Sequence, residues 1–240
     1  MDHTLIILTG ASRGLGLAMA QQLLQQGHRL LTLSRQPNAA LADGHDAATL
    51  EQWAVDLADP LPVAQRLQAW LQAQVPQPAV LINNAGVITP PAPLADTAPA
   101  DISAALRAGL EAPVLLSAAF LHATAGWGTA RRVLNISSGL GRRAMAGSAV
   151  YCAAKAGMDH LSRALALEGV QVVSLAPGVI DTDMQVQLRQ SDPARFAEQP
   201  RFAALKSSGQ LDSPAQAAVK VLAFLERPGF GAEAVADVRG

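Results

Sequence analysis

The chain has 240 residues, half of them apolar and only 15% charged, with a mean hydropathy of +0.21, which is material for a sizeable core and not for a disordered chain. A formal net charge of −1 and a pI near 6.5, with no basic stripe or Lys/Arg cluster, argue against nucleic acid and membrane surfaces as partners. One cysteine excludes an internal disulfide, and the five histidines (3, 28, 45, 122 and 160) show no ligand spacing, so no metal site is expected.

Met1-Asp2-His3-Thr4 leads straight into a strand without a basic region before it, as expected of a cytoplasmic protein. Leu5-Ile6-Ile7-Leu8 is that strand. Thr9-Gly10-Ala11-Ser12-Arg13-Gly14-Leu15-Gly16 follows as a glycine-rich turn, and a helix then runs to Gln26, closed by Gly27. Three glycines allow a tight turn and the close approach of a ligand, and the N–H groups that open a helix attract phosphate. The spacing G-x-x-x-G-x-G differs from G-x-G-x-x-G, and no Gly-Lys-Ser/Thr follows to make a P-loop. The second strand is Arg29–Arg35. A carboxylate at this strand's end favours NAD and an arginine favours NADP. Here Ser34 and Arg35 stand there, with Arg13 in the first turn as a second cation.

Residues 36–50 read as a loop, 52–57 as a short third strand, and 60–75 as a helix with Pro60 and Pro62 at its start. Ala79–Ile82 is the fourth strand and opens onto Asn83-Asn84-Ala85-Gly86. Residues 87–99 have turn character and 101–123 form a long helix. Strand five spans 132–137, a helix spans 150–168, and Val170–Leu175 is strand six, ended by Pro177-Gly178. Residues 183–210 look like a mobile segment. Ser213-Pro214-Ala215-Gln216 is a capping-box start for a helix to Glu226, and Ala234–Val238 is the closing strand. Apolar strands alternating with helices predict one doubly wound α/β domain over 1–240, a parallel sheet with helices on both faces.

Tyr151, the only tyrosine, stands four residues before Lys155, on the same face of the predicted helix. Only 3 of the 240 residues are lysine, so this offset by chance is about a 1 in 80 event (3/240), and the pairing carries weight. Ser138 ends strand five, thirteen residues upstream. The trio offers proton transfer to or from an oxygen. A phenol, with a pKa near ~10, is expected to be drawn down by the neighbouring ammonium, while the serine hydroxyl holds the substrate oxygen.

These motifs together resemble the short-chain dehydrogenase/reductase family in its single-domain form. The resemblance rests on Thr9-Gly10-x-x-x-Gly14-x-Gly16, Asn83-Asn84-Ala85-Gly86, Ser138, Tyr151-x-x-x-Lys155 and Pro177-Gly178 with Thr182, in family order over nearly the whole chain. It implies a Rossmann-like sheet of about seven strands and hydride transfer between a nicotinamide, here NADP(H), and a carbonyl or alcohol. It also implies roles. Gly10, Ser12, Arg13, Gly14, Leu15 and Gly16 would cradle the cofactor phosphates, with Arg35 near the 2′-phosphate and Asp56 and Leu57 at the adenine. Asn84, Ala85 and Gly86 would line the ribose; Pro177, Gly178, Val179 and Thr182 would line the nicotinamide side. Tyr151 would be the general acid, Lys155 would lower its pKa and hold the ribose, and Ser138 would stabilise the substrate oxygen.

Leu110–Ser117, Pro177–Gln185 and Asp237-Val238-Arg239 look like the sepiapterin/benzil-reductase branch, which reduces ketones beside a second carbonyl. The resemblance further implies that 183–210 closes over substrate, with Met184, Phe196 and Phe202 as its apolar side chains. It also implies that the long helices pair copies into a homodimer or homotetramer. One departure stands out. The family usually places an asparagine in the long helix to complete a proton relay, and here that place falls to Gly109. Pro113, four residues on, has no N–H, which leaves the Gly109 carbonyl free to hold a relay water. Two other readings are a regulatory protein that binds NADP(H) without turnover, which Gly109 suggests, and an NAD-linked alcohol dehydrogenase, against which Arg13 and Arg35 argue.

Overall fold

The computed structural model describes residues 4–240; the Met1-Asp2-His3 start lies outside the described residues. Seven parallel strands form one sheet: β1 (Leu5–Thr9), β2 (Arg29–Ser34), β3 (Leu50–Ala54), β4 (Ala79–Asn83), β5 (Arg131–Ile136), β6 (Gln171–Ala176) and β7 (Val235–Asp237). Their order is β3-β2-β1-β4-β5-β6-β7. The helices are α1 (Gly14–Gln25), α2 (Ala39–Ala42), α3 (Pro60–Gln72), α4 (Pro99–Leu106), α5 (Ala112–Ala123), α6 (Ala149–Leu167), α7 (Asp183–Arg189), α8 (Gln199–Ser207) and α9 (Pro214–Glu226).

All five residues of β1 are buried, and they alternate between two cores. Ile6 and Leu8 meet Met19 and Leu23 of α1 and Val221 and Leu225 of α9. Leu5 and Ile7 meet Leu67 and Leu71 of α3 and Leu116 and Phe120 of α5. A strand covered on both faces has no room for polar side chains, which is why it reads as an unbroken apolar run. The strand order reverses between β1 and β4, and a crevice opens at the carboxyl ends of those two strands, the place where doubly wound sheets bind ligands.

Several elements differ from the sequence reading. β3 is Leu50–Ala54 rather than 52–57. Its ladder with β2 ends at the Ser34–Ala54 pair, so Asp56 and Leu57 lie beyond the strand. The 36–50 loop holds the single turn of α2, capped by the Asn38 side chain. Residues 183–210, read as a mobile segment, carry α7 and α8. The capping box at Ser213 and Gln216 forms as read.

The long helix runs from Pro99 to Ala123, but a π turn at Arg107–Glu111 divides it into α4 and α5. The Pro113 ring, lacking an N–H, conflicts with a regular helical bond to the carbonyl of Gly109. A one-residue widening, closed by the Ala112 N–H on the Arg107 carbonyl, accommodates it. Gly109 is buried against α6, where an added Cβ would sit 3.4 Å from the Ala154 Cβ.

Candidate active site

The residues expected to bind cofactor or act on substrate, from Gly10 after β1 to Thr182 before α7, line one cleft of about 840 Å³ at the switch point, whereas the relay position Gly109 is buried behind it and does not line it. At one end is the first turn. Gly10 and Gly14 have φ of +73° and +56°, the left-handed region that favours glycine. Gly16 is required for space. A Cβ there would lie 2.1 Å from the Gly10 carbonyl oxygen and 2.5 Å from the Asn84 amide nitrogen. The Asn84 amide donates to the carbonyls of Thr9 and Gly10 at 3.0 and 3.3 Å, and the Thr9 hydroxyl accepts from the backbone N–H groups of Asn84 and Ala85, both at 2.9 Å. Asn84 therefore braces the turn with its side chain. α1 then starts with no side-chain cap and no acid in its first turn, leaving its leading N–H groups for an anion. A glycine cradle under an uncapped helix start fits a dinucleotide's diphosphate.

The two arginines differ. Arg35 is exposed on the cleft beyond β2, where Ser34 is buried and accepts a bond from the Ala11 N–H at 2.9 Å. Arg13 instead forms an ion pair with Asp183 of α7 at 2.9 Å, so the first turn is tied to the segment across the cleft.

At the other end, α6 brings Tyr151 and Lys155 to one face, and the strand-end turn brings Ser138. Lys155 is buried and its ammonium donates to the Ile136 carbonyl at 2.7 Å. It lies 5.6 Å from the centre of the Tyr151 ring and 3.6 Å from where a Gly86 Cβ would be, so Gly86 keeps the approach to it open. The expectation that Lys155 draws the phenol down does not hold here. Burial pushes Tyr151 up to about 12, the Ser138 hydroxyl pulls it back, and the Cys152 thiol adds slightly to the rise. Burial takes Lys155 down to about 8, with Asp159 opposing. Sequence shows the neighbouring charge but not the desolvation that outweighs it. At neutral pH the phenol thus holds its proton, the state a proton donor needs.

The segment after β6 divides the three expected apolar side chains. Met184 and Phe202 line the cleft, whereas Phe196 is fully buried and stacks on Phe202 at 5.7 Å. The cleft is also lined by Arg143 and Met145, which sequence reasoning did not single out, and by Arg239 of the closing Asp237-Val238-Arg239. It missed Asp159 too, whose position eight after Tyr151 is the only signal the sequence carries for it.

A switch-point cleft with a phosphate cradle at one end and a protonated phenol at the other defines a dinucleotide-binding α/β protein. Residues 4–193 match the family model described as short chain dehydrogenase, and the chain belongs to that family of oxidoreductases, which bind nicotinamide cofactors. It is 33% identical over 238 residues to benzil reductase ((S)-benzoin forming) of Bacillus cereus, covering 94% of this chain and 95% of that one. It is also 33% identical to sepiapterin reductase of Meriones unguiculatus, covering 96% and 94%. Among solved structures, a short-chain dehydrogenase/reductase from Burkholderia vietnamiensis is 36% identical and superposes with a TM-score of 0.69, over 99% of each chain.

Proposed function

We propose that the protein uses NADPH to reduce a ketone that stands beside a second carbonyl, in aromatic 1,2-diketones or pteridine side chains. The observation that carries this reading is the meeting of Ser138, Tyr151 and Lys155 at one end of a cleft whose other end presents Arg35 and no acid at the end of β2. The similarity to benzil and sepiapterin reductases supports the substrate class.

Gly10, Ser12, Gly14, Leu15 and Gly16 would hold the diphosphate, Arg35 the 2′-phosphate, and Asp56 and Leu57 the adenine. Asn84, Ala85 and Gly86 would line the ribose, and Pro177, Gly178, Val179 and Thr182 the nicotinamide. When bound, the reduced nicotinamide supplies hydride to the carbonyl carbon. Ser138 orients the carbonyl oxygen, and the Tyr151 O–H gives that oxygen its proton. A water on the Gly109 carbonyl returns the proton to the phenolate left behind, and the Lys155 ammonium would hold the nicotinamide ribose. Residues 183–210 act as the lid, and Arg13 leaves Asp183 to help hold the cofactor phosphate. We place the protein in the cytoplasm, as a homodimer or homotetramer through α5 and α6.

The test is NADPH oxidation with benzil, sepiapterin and a simple aliphatic ketone, repeated with NADH. The diketone substrates are expected to turn over, with NADPH preferred by about tenfold or more, the worth of a charge-assisted bond to the 2′-phosphate. Tight NADPH binding without turnover of any of them would favour the regulatory reading, and a preference for NADH would overturn the role of Arg35.

A further inference from the structure

Asp159 has no part in the reaction as drawn, yet its carboxylate is only 1% exposed. One oxygen accepts from the Ser137 hydroxyl at 2.5 Å and from the Ser174 hydroxyl at 2.6 Å. The other lies 3.3 Å from the Arg142 Nε and makes no hydrogen bond. Gly141 closes over that oxygen, since an added Cβ would sit 2.7 Å from it. One side chain thus joins α6, the end of β5, β6 and the turn that follows Ser138.

Two serine donors need an acceptor, which a neutral amide oxygen would also supply, though more weakly than a carboxylate. A buried carboxylate is costly unless a cation requires it. Arg142 has its side chain 30% exposed and also donates to the Ala236 carbonyl, so water and that carbonyl satisfy it. Lys155 has the Ile136 carbonyl but little water to reach, being only 4% exposed. It is buried one helical turn before Asp159, on the same face.

We propose that Asp159 is a positioning residue: through Ser137 it fixes the turn that carries Ser138, and it is the buried counter-charge of Lys155. The kinetic consequences rest on the function proposed above; the charge coupling does not. The groups that face Lys155 agree with this. They are Tyr151 and Asp159 from α6, the Ile136 carbonyl from β5, and Arg142 beyond Asp159 from the turn. Asp159 opposes the effect of burial on the ammonium.

The chain has three lysines, at 155, 206 and 220, so 15N-lysine NMR of the full-length protein resolves Lys155, with Lys206→Arg and Lys220→Arg assigning the other two. In Asp159→Asn the Lys155 amine is expected to lose its proton about one pH unit lower than in the wild type. In Arg142→Ala, where the carboxylate is no longer shared, it is expected to lose it at higher pH. An unmoved Lys155 overturns the proposal, and should Asp159→Asn not fold, the Arg142→Ala shift decides alone. In the benzil assay Asp159→Asn is expected to lower kcat by up to about a hundredfold with KM nearly unchanged, and to move the alkaline limb of the pH profile to lower pH. An unchanged kcat and profile would overturn the positioning role. A wild type that reduces no diketone while Lys155 shifts as expected leaves the charge coupling standing and removes the substrate reading.

Discussion

The turn after β1 and the segment after β6 face each other across the cleft, and different forces hold them. The turn is backbone packed on backbone, with Gly16 against the Gly10 carbonyl and the Asn84 amide and Thr9 hydroxyl tying β4 to β1. No charge takes part in that packing, and the turn's one ion pair, from Arg13, reaches outward to the segment. The segment is held by ion pairs, exposed ones from Arg13 to Asp183, Lys206 to Asp181 and Arg201 to Glu198, and a more buried one from Arg189 to Asp181. Its one fully buried aromatic is Phe196, seated where a Gly147 Cβ would come within 2.9 Å of the ring. α8 buries no residue completely. Packed backbone has one arrangement, whereas exposed ion pairs exchange partners at little cost. On the function proposed above, the fixed half serves the cofactor and the adjustable half the substrate.

The largest expected effect comes from breaking the fixed half. Gly16→Ala puts a methyl 2.1 Å from a carbonyl oxygen, which must cost about 1–3 kcal/mol. A lower melting temperature together with weakened NADPH binding, read by fluorescence titration, is the expected outcome; unchanged binding would show that the turn has slack. Next is Lys155, whose burial works against the fold. The folded chain releases this proton near pH 8, while the unfolded chain holds it to the ordinary 10.5. Between these values the unfolded state binds the extra proton, so stability rises with pH. Lys155→Met is expected to be inactive yet more stable than the wild type at pH 7, with the gap closing toward pH 10. Thermal unfolding from pH 7 to 10 checks this, stopping there because Tyr151, raised to about 12, begins to cost stability above its ordinary 10.0. The smallest effect belongs to the adjustable half. Asp183→Ala removes an ion pair whose side chains are 68% and 70% exposed, and is expected to change stability by no more than about 0.5 kcal/mol, vanishing in high salt.

The same contrast explains what the sequence shows. The glycine turn, Asn84 and the Tyr151–Lys155 pair are legible because backbone geometry or helical spacing admits few other residues there. β1, β2 and β4 read as strands because burial on both faces leaves them mostly apolar, with polar residues chiefly at the ends. β3 is placed two residues late at its start and three at its end because the apolar residues continue through Leu57, while the ladder stops where β2 ends at Ser34. α7 and α8 carry mixed polar and apolar faces held by surface pairs, so their periodicity is faint. Asp159 is invisible in sequence since only the fold brings Ser137, Ser174 and Arg142 around it. The raised phenol of Tyr151 is likewise chiefly a product of burial, which the sequence does not show.

The claim on which the account turns is that the Tyr151 hydroxyl delivers the proton. Tyr151→Phe removes that oxygen and leaves the ring and the cofactor cradle in place. Single-turnover reduction of benzil by NADPH is expected to slow by about 10³-fold or more, with NADPH binding unchanged. A Tyr151→Phe variant that reduces benzil within tenfold of the wild-type rate would contradict it.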